Sequence, residues 1–293
     1  MERNLSKRHL LDSTLEAFEA YLQNHSVEIM RSFHPSFEGA FWEMVRNGGK
    51  RFRPCLLFCV VLAKKPKRIK KSYQVALALE SLHSYSLIHD DLPAMDNAAL
   101  RRNHPTLHIK YSEADAILCG DGLNTYAFYL IATSAFSDNI KVKLSKSLSF
   151  GGLKMVLGQA LDCRFENERL PQDKLDFIHT NKTANLIASS LEMGGIIANL
   201  PKKERKNLYE FGILLGLFFQ IRDDILDKTS ISEGKSANID ANKNSYVNLL
   251  GLKKAQATLQ TLKTTLLESL NKLDKDIAKN LYFLLNKYVI SKG

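Results

Sequence analysis

The apolar positions of this chain recur with the spacing of helices rather than strands. Between residues 72 and 91 they return every three to five positions, at Val75, Leu79, Leu82 and Leu87. This spacing gathers apolar side chains on one face of a helix, whereas a strand would alternate at every second residue. The same pattern runs through residues 208–226 and 249–270, with Gly, Pro and Asn between the segments. It predicts an all-α bundle of roughly ten helices.

Length and composition predict one globular domain over residues 1–293. With 45% apolar residues the chain can bury a sizeable core, and no repeat or low-complexity linker divides it. The four cysteines are scattered, so we expect buried thiols rather than disulfides or metal ligands. The N-terminus begins with charged residues instead of the apolar core of a secretion signal, and the apolar runs are too short to span a membrane. We therefore expect a cytoplasmic protein.

The formal charge of +10 raises the question of a nucleic-acid partner. The densest basic block, residues 64–71, surrounds Pro66 and is typical of a solvated connection between helices. Other basic residues lie beside acidic clusters or glycines. This distribution predicts discrete anion pockets and no nucleic-acid binding.

Two acidic clusters interrupt apolar helical sequence about half a chain apart, at residues 89–96 and 220–227. Buried carboxylates need a cation or hydrogen-bond donors to offset their desolvation. Clustered carboxylate oxygens suit Mg²⁺, which is commonly shared between one or two carboxylates and a substrate phosphate. The clusters therefore indicate a site for Mg²⁺ and phosphate.

The first cluster requires a distortion of its helix. Asp90 and Asp96 are six positions apart and would point about 120° away from each other on an ideal helix. Pro93 lies between them, and a proline inside a helix causes a kink or bulge that would bring the two carboxylates together. We expect Asp91 to hold an Arg or a metal-bound water rather than a metal ion directly.

The second cluster fits one helical face, which Gln220, Asp223 and Asp227 share. Its apolar flanks argue against a solvated acidic face. Gly212 and Gly216, spaced by four, predict the close approach of a neighbouring helix.

Basic residues accompany both clusters. Arg101 and Arg102 follow the first, and paired guanidiniums bind phosphate oxygens, although they could equally neutralise the nearby acids. Lys50 and Arg53 would share a face at a helix start after Gly48 and Gly49. His83 lies seven positions before Asp90, on the same face; an isolated His of this kind is more often a core residue than a ligand.

Together these segments resemble the trans-prenyltransferases, the polyprenyl diphosphate synthase family, and most closely its bacterial farnesyl diphosphate synthases. The resemblance extends from about Gly48 to Lys253, and its strongest stretches are residues 48–54, 83–96 and 219–227. It implies a bundle of the isoprenoid synthase type around a central active-site cavity. The chain departs from the family pattern at four places. It has no further acid between Asp96 and Arg101, and Asn103 stands where the family has the glycine of Arg-Arg-Gly. Arg222 precedes Asp223, Asn181 replaces a frequent histidine, and the segment at 228–238 is short.

The resemblance also implies the role of each matching residue. Three Mg²⁺ ions would be held through Asp90, Asp96 and Asp223, with Asp91 and Asp227 in the same metal-binding group. The groups expected to bind an allylic diphosphate are Arg101, Gln159, Lys182, Thr183, Gln220, Lys235 and Lys243. Those expected to bind isopentenyl diphosphate, without metal, are Lys50, Arg53, His83 and Arg102. The catalytic set would be Asp90, Asp96, Arg101, Lys182, Thr183 and Asp223.

The implied reaction is the Mg²⁺-dependent condensation of isopentenyl diphosphate with dimethylallyl or geranyl diphosphate to give the fifteen-carbon farnesyl diphosphate. Tyr85 would limit the chain length, since an aromatic residue there goes with a fifteen-carbon product in the family. A homodimer is implied as well. Four alternatives remain: a twenty-carbon synthase, a terpene cyclase, a silent regulatory subunit and a helical nucleic-acid-binding protein.

Overall fold

The computed structural model describes residues 2–25, 28–230 and 244–287, which are almost entirely helical. The α-helices are α1 (Glu2–Asn24), α2 (Pro35–Arg46), α3 (Phe52–Lys64), α4 (Ile69–Asp90), α5 (Leu107–Lys110), α6 (Glu113–Ala132), α7 (Asp138–Arg164), α8 (Gln172–His179), α9 (Asn185–Ile197), α10 (Lys202–Ser230), α11 (Tyr246–Leu250), α12 (Leu252–Ser269) and α13 (Lys275–Leu285). A π-helical turn, Thr180–Ala184, joins α8 to α9. Short 3₁₀ turns lie at Glu28–Met30, Pro66–Arg68 and Leu270–Lys272.

The all-α prediction is confirmed, and the described helices outnumber the roughly ten expected. The excess includes α5 and α11, which have only four and five residues, because one turn is too short to show an apolar period. A small antiparallel hairpin was also not predicted: β1 (Leu100–Arg101) pairs with β2 (His104–Pro105). The basic block is a connection between helices, as predicted, since Pro66–Arg68 forms the 3₁₀ turn between α3 and α4.

The residues form two compact units, Met1–Ser145 and Lys146–Gly293. The single domain expected over residues 1–293 stays a prediction. In the first unit, α4 is the central helix and packs against α6, α3, α2 and α1. The contact with α6 is close because Gly120 has no side chain: a Cβ at Gly120 would lie 2.1 Å from Nε2 of His89.

The second unit is built around the contact of α10 with α9. Gly212 and Gly216 make the close approach of α10 possible, as predicted. A Cβ on Gly212 would lie 2.4 Å from Cα of Ala188 in α9, and one on Gly216 would lie 2.3 Å from Cα of Ala184 in the π-helical turn. Beside it lies an apolar cluster of Leu175, Ile221, Ile225, Tyr246, Val247 and Ala255. Within the described ranges, no helix combines the length and apolar character needed to cross a bilayer.

Candidate active site

The first acidic cluster lies in a closed turn at the C-terminal end of α4. The helix ends at Asp90, and the backbone N–H of Asp96 donates to the Asp90 carbonyl over 2.9 Å. The predicted kink within a continuous helix is therefore wrong, because Pro93 disfavours helical geometry at Leu92 and ends the helix instead. Asn97 completes the turn with a left-handed φ of 47°. This turn brings the backbones of Asp90 and Asp96 together, while the expected convergence of their carboxylates stays a prediction.

Asp91 points into the protein and forms an ion pair with Arg101. Its side chain is 1% exposed, and Nε and Nη2 of Arg101 lie 2.7 and 2.6 Å from its Oδ1. An arginine partner is one of the two interactions expected for Asp91. The pair fixes the guanidinium of Arg101 beside the turn that carries Asp90 and Asp96.

Arg102 belongs to a second group of cations. The turn at Arg102 and Asn103 has left-handed φ values of 53° and 64°, which directs two consecutive arginines to different partners. Nη1 of Arg102 donates to the Gly48 carbonyl over 2.8 Å. Gly49, at a φ of 108°, leaves room for the guanidinium, because a Cβ there would lie 2.9 Å from Cζ of Arg102.

Arg53 and His83 are close enough to Arg102 for its charge to lower the pKa of both side chains. Burial and the cations of Arg53 and Arg102 lower the pKa of His83 well below its usual value, so its imidazole is neutral near pH 7. Burial also lowers the pKa of Arg53 to about 10, which leaves it charged. Among the described residues, Nε of Arg53 and Nδ1 of His83 are buried without a hydrogen-bond partner. Buried cations and donors of this kind suit an anion.

Lys50 is exposed and precedes α3, which begins at Phe52. The prediction that Lys50 and Arg53 share the start of a helix is therefore wrong for Lys50. Sequence reasoning also missed Arg51, whose φ is 46° and whose guanidinium binds the buried Glu80 at 3.0 Å and Glu19 at 2.6 Å. These ion pairs attach the segment that precedes α3 to α4 and α1. No local pattern in the sequence indicated them.

In the second unit, the acidic residues of α10 divide between two environments. Nε2 of Gln220 donates to Asp224 over 2.9 Å, and the backbone N–H of Tyr246 donates to the other oxygen of Asp224. Asp223 is instead exposed and lies 3.1 Å from Nη2 of Arg222. Gln220 was predicted to share a face with Asp223, but its partner is Asp224. The i, i+4 spacing of Gln220 and Asp224 was the signal that could have identified it.

Burial raises the pKa of Asp224 to about 6, and the charges of Asp227 and Asp223 add to the shift, although the hydrogen bonds from Tyr246 and Gln220 oppose it. Asp224 is thus the carboxylate of this cluster that desolvation perturbs most clearly. A cation nearby would favour its charged form.

The π-helical turn carries Lys182 and Thr183. Nζ of Lys182 lies 2.5 Å from Oδ2 of Asp162, and Oγ1 of Thr183 donates to Oε1 of Gln220 over 2.9 Å. Gln159, on α7, donates to Sγ of Cys163. A cavity of about 210 Å³ has a wall that includes Asp162, His179, Lys182, Gln220, Asp224 and Asp227. The predicted Lys182, Gln220 and Asp227 therefore meet in one pocket, while Lys235 and Lys243 lie outside the described residues.

Tyr85 is buried on α4 and packs edge-on against His89, with ring centroids 5.6 Å apart. It lies five residues before Asp90. Burial raises the pKa of its hydroxyl, and the charges of Asp90 and Asp121 add to the shift.

Comparisons with known proteins agree with this chemistry. The family model described as polyprenyl synthetase matches residues 34–283. The chain is 37% identical to a farnesyl diphosphate synthase of Haemophilus influenzae over 88% of this chain and 94% of that protein. It is 41% identical to a farnesyl diphosphate synthase of Geobacillus stearothermophilus over 87% of this chain and 88% of that protein.

Among solved structures, the chain resembles a Helicobacter pylori geranyltransferase complexed with magnesium and isoprenyl diphosphate. The TM-score is 0.90 and the sequence identity 47%, over 98% of both chains. The family model covers most of the chain, and the relatives exceed 30% identity over most of its length. This chain therefore belongs to the polyprenyl synthetase family.

Proposed function

We propose that this protein is a prenyltransferase that condenses isopentenyl diphosphate with dimethylallyl or geranyl diphosphate to form farnesyl diphosphate. The observation that carries the proposal is the group formed by Arg53, Arg102 and His83 in the first unit, where both cations lower the pKa of the buried, neutral His83. These side chains offer binding groups for a diphosphate without a metal ion. Condensation needs two diphosphate pockets, whereas a terpene cyclase needs one.

The residues present fit Mg²⁺ as the bound metal. Asp90 and Asp96 are brought together by a backbone hydrogen bond, and the pKa of Asp224 is raised by burial and then by Asp227 and Asp223. A divalent cation would relieve this desolvation and repulsion, and oxygen ligands suit Mg²⁺. We assign Asp90, Asp96, Asp223 and Asp227 to metal binding and expect three ions, with Asp91 acting through Arg101. When bound, Mg²⁺ would neutralise the charge that develops on the departing diphosphate.

The side chains would then divide the chemistry between two substrates. Arg101, Lys182 and Gln220 would bind the allylic diphosphate as its carbon–oxygen bond breaks and the electron pair moves to the leaving group. Lys50, Arg53, His83 and Arg102 would hold isopentenyl diphosphate so that its double bond attacks the allylic cation. The carbon chain then loses a proton to the released diphosphate, which completes the new double bond. Buried apolar residues must exclude water, because water would capture the cation.

The farnesyl product is supported by the names of the similar proteins and by the buried aromatic ring of Tyr85. A geranylgeranyl product is the second candidate, and it would require a deeper apolar chamber. The silent-subunit alternative is weakened because both acidic clusters are intact in the sequence.

A homodimer and a cytoplasmic location are also part of the proposal. The residues Phe150, Leu153, Val156 and Leu157 form an exposed apolar strip along α7, of the kind found at protein interfaces. None of the four cysteines, all of which the structure describes, forms a disulfide, as expected in a reducing compartment. Cys55, Cys59 and Cys119 are buried, as predicted, but Cys163 is exposed.

The test is incubation of the purified protein with Mg²⁺, labelled isopentenyl diphosphate and either allylic starter, followed by chromatography of the dephosphorylated products. We expect farnesol, with turnover lost on chelation of Mg²⁺ and reduced by at least about 100-fold in Asp90→Ala, because a charge-stabilising group is removed. Geranylgeraniol would support the second candidate. No incorporation with either starter would contradict the proposed reaction.

A further inference from the structure

The π-helical turn Thr180–Ala184 is a departure from regular helix at the residues proposed to act on the allylic substrate. The backbone N–H of Asn185 donates to the carbonyl of Thr180, five residues earlier. A turn with one extra residue changes the direction of each side chain within it and leaves helical hydrogen bonds unmade. Something must therefore stabilise this turn against the regular α-helix.

Asn185 supplies one such stabilising group. Its Nδ2 donates to the Thr180 carbonyl over 2.9 Å, so the same carbonyl receives both the backbone and the side chain of Asn185. Its Oδ1 accepts a hydrogen bond from the hydroxyl of Tyr209, on α10, over 2.5 Å. Asn185 is therefore connected both to the π-helical turn and to the neighbouring helix.

Asn181 makes a matching bond at the other end of the turn. Its Nδ2 donates to the carbonyl of Phe177 over 2.7 Å, and its Oδ1 lies 3.5 Å from Nδ2 of Asn185. Both asparagines are buried. Burial makes each of these hydrogen bonds costly to lose, because the remaining partner would stay unsatisfied.

Two glycines on neighbouring helices allow those helices to pack directly against the same turn. A Cβ on Gly158 would lie 2.1 Å from the backbone N of Lys182, and one on Gly216 would lie 2.3 Å from Cα of Ala184. These contacts are with backbone atoms, so the turn has little room to shift. The side chains of Lys182 and Thr183 are directed by it to Asp162 and Gln220.

We infer that Asn181, Asn185 and Tyr209 are positioning residues, which hold the π-helical turn in the geometry that directs Lys182 and Thr183 toward the allylic diphosphate. The inference rests on the proposed function for the roles of Lys182 and Thr183. If the turn relaxed to a regular helix, both side chains would change direction. Misplacement by about 1 Å is enough to reduce turnover by roughly 100-fold.

The experiment compares Tyr209→Phe and Asn185→Leu with the control Ser190→Ala. Ser190 is also buried and donates to a helix carbonyl, but from the regular part of α9. We expect kcat to fall by about 10-fold in Tyr209→Phe and by about 100-fold in Asn185→Leu. The KM for isopentenyl diphosphate should stay unchanged, and Ser190→Ala should retain normal kcat. Tyr209→Phe removes only one hydroxyl group, so it still tests the inference if Asn185→Leu does not fold.

A double-mutant cycle separates positioning from general loss of structure. Tyr209→Phe should reduce kcat by less than about 2-fold when Lys182→Ala and Thr183→Val are already present, because the residues through which it acts are gone. An equal reduction in both backgrounds would overturn the inference.

A second double-mutant cycle, between Tyr209→Phe and Thr183→Val, is measured by urea unfolding. This measurement does not require the enzyme to be active. We expect non-additive changes in stability, since the turn links the two side chains. Additive changes would overturn the inference. If this cycle shows non-additive stability but the wild type catalyses no condensation with either starter, the proposed function fails while the positioning of the turn stands.

Discussion

At the residue scale, Asn103 shows how a departure from a family pattern can preserve geometry. Its φ is 64° and that of Arg102 is 53°, with Arg101 paired to His104 across the hairpin. A two-residue turn with both φ values positive favours Gly or Asn at its second position, because Asn tolerates the left-handed conformation. Asn103 can therefore replace the glycine of the usual Arg-Arg-Gly sequence while the two arginines still diverge.

Tyr85 is expected to limit the product length. Replacing it with Ala removes a buried ring and would deepen the proposed product chamber, so we expect twenty-carbon and longer alcohols among the dephosphorylated products. Chromatography of those products is the measurement. Tyr73→Ala serves as the control, because Tyr73 lies on the same helix but packs against Phe18 and Phe58. An unchanged fifteen-carbon product in Tyr85→Ala would show that another side chain sets the length.

His179 should make the protein less stable in acid. Burial, with a contribution from Lys182, lowers its pKa to about 4, although Asp162 opposes the shift. The folded state therefore binds fewer protons than the unfolded state between about pH 4 and 6.5. Stability present above pH 6.5 is lost as the pH falls through this window, by up to about 3 kcal/mol.

The measurement is urea unfolding of the wild type and of His179→Phe from pH 4 to 7. Phe retains an aromatic ring for the stacking on Tyr246, whose centroid lies 5.3 Å away, but it has no proton to gain. We expect a shallower pH dependence in the variant. Parallel curves would exclude His179 as the source of the acid sensitivity.

At the element scale, several of the groups proposed to act in the active site lie where regular helices stop or change. Helix α4 ends at Asp90, and the π-helical turn precedes α9. Such places leave backbone groups to be satisfied by turns and side chains, and they direct side chains in ways that a regular helix cannot. The long helices around them provide rigid support.

The contact of α10 with the π-helical turn requires Gly216. Ala would place a Cβ 2.3 Å from Cα of Ala184, a backbone atom that cannot move independently. We expect Gly216→Ala to lower the free energy of unfolding by about 1–3 kcal/mol despite the better helix propensity of Ala. Thermal and urea unfolding measure the change, and kcat should fall because Thr183 is displaced from Gln220.

Gly39→Ala is the matched control for this prediction. Gly39 lies in α2, where an added Cβ would meet only the Tyr111 hydroxyl, at 3.9 Å. Its replacement should be neutral or stabilise by up to about 1 kcal/mol. The steric argument would be contradicted if the two alanine variants had the same stability.

At the scale of the whole molecule, the exposed apolar strip on α7 predicts self-association. Leu153 is 71% exposed, and Glu at this position would place a charge in the proposed interface. We expect the wild type to have the mass of a dimer in light scattering and Leu153→Glu to shift toward the monomer. Ile29→Glu, at an exposed apolar residue in the other unit, should leave the mass unchanged. A monomeric wild type would contradict the dimer.

The sequence by itself determined the helical class, both acidic clusters, and the glycines of the α9–α10 contact. These features depend on local spacing and residue chemistry, which the chain carries without reference to its fold. Apolar residues at helical intervals must be buried on one side, and Gly212 and Gly216 lie on one face wherever the helix packs. The resemblance to the polyprenyl diphosphate synthases rested on the same local motifs, and the comparisons confirm the family.

Only the tertiary structure decided which of these side chains are buried and what each one contacts. It paired Asp224 rather than Asp223 with Gln220, anchored Arg51 on Glu80, and stabilised a π-helical turn through Asn185 and Tyr209. The physical reason is that local spacing gives the face of a residue but not the rotation of its helix against its neighbours. Partners distant in sequence, and the desolvation that shifts a pKa, exist only once the helices have packed.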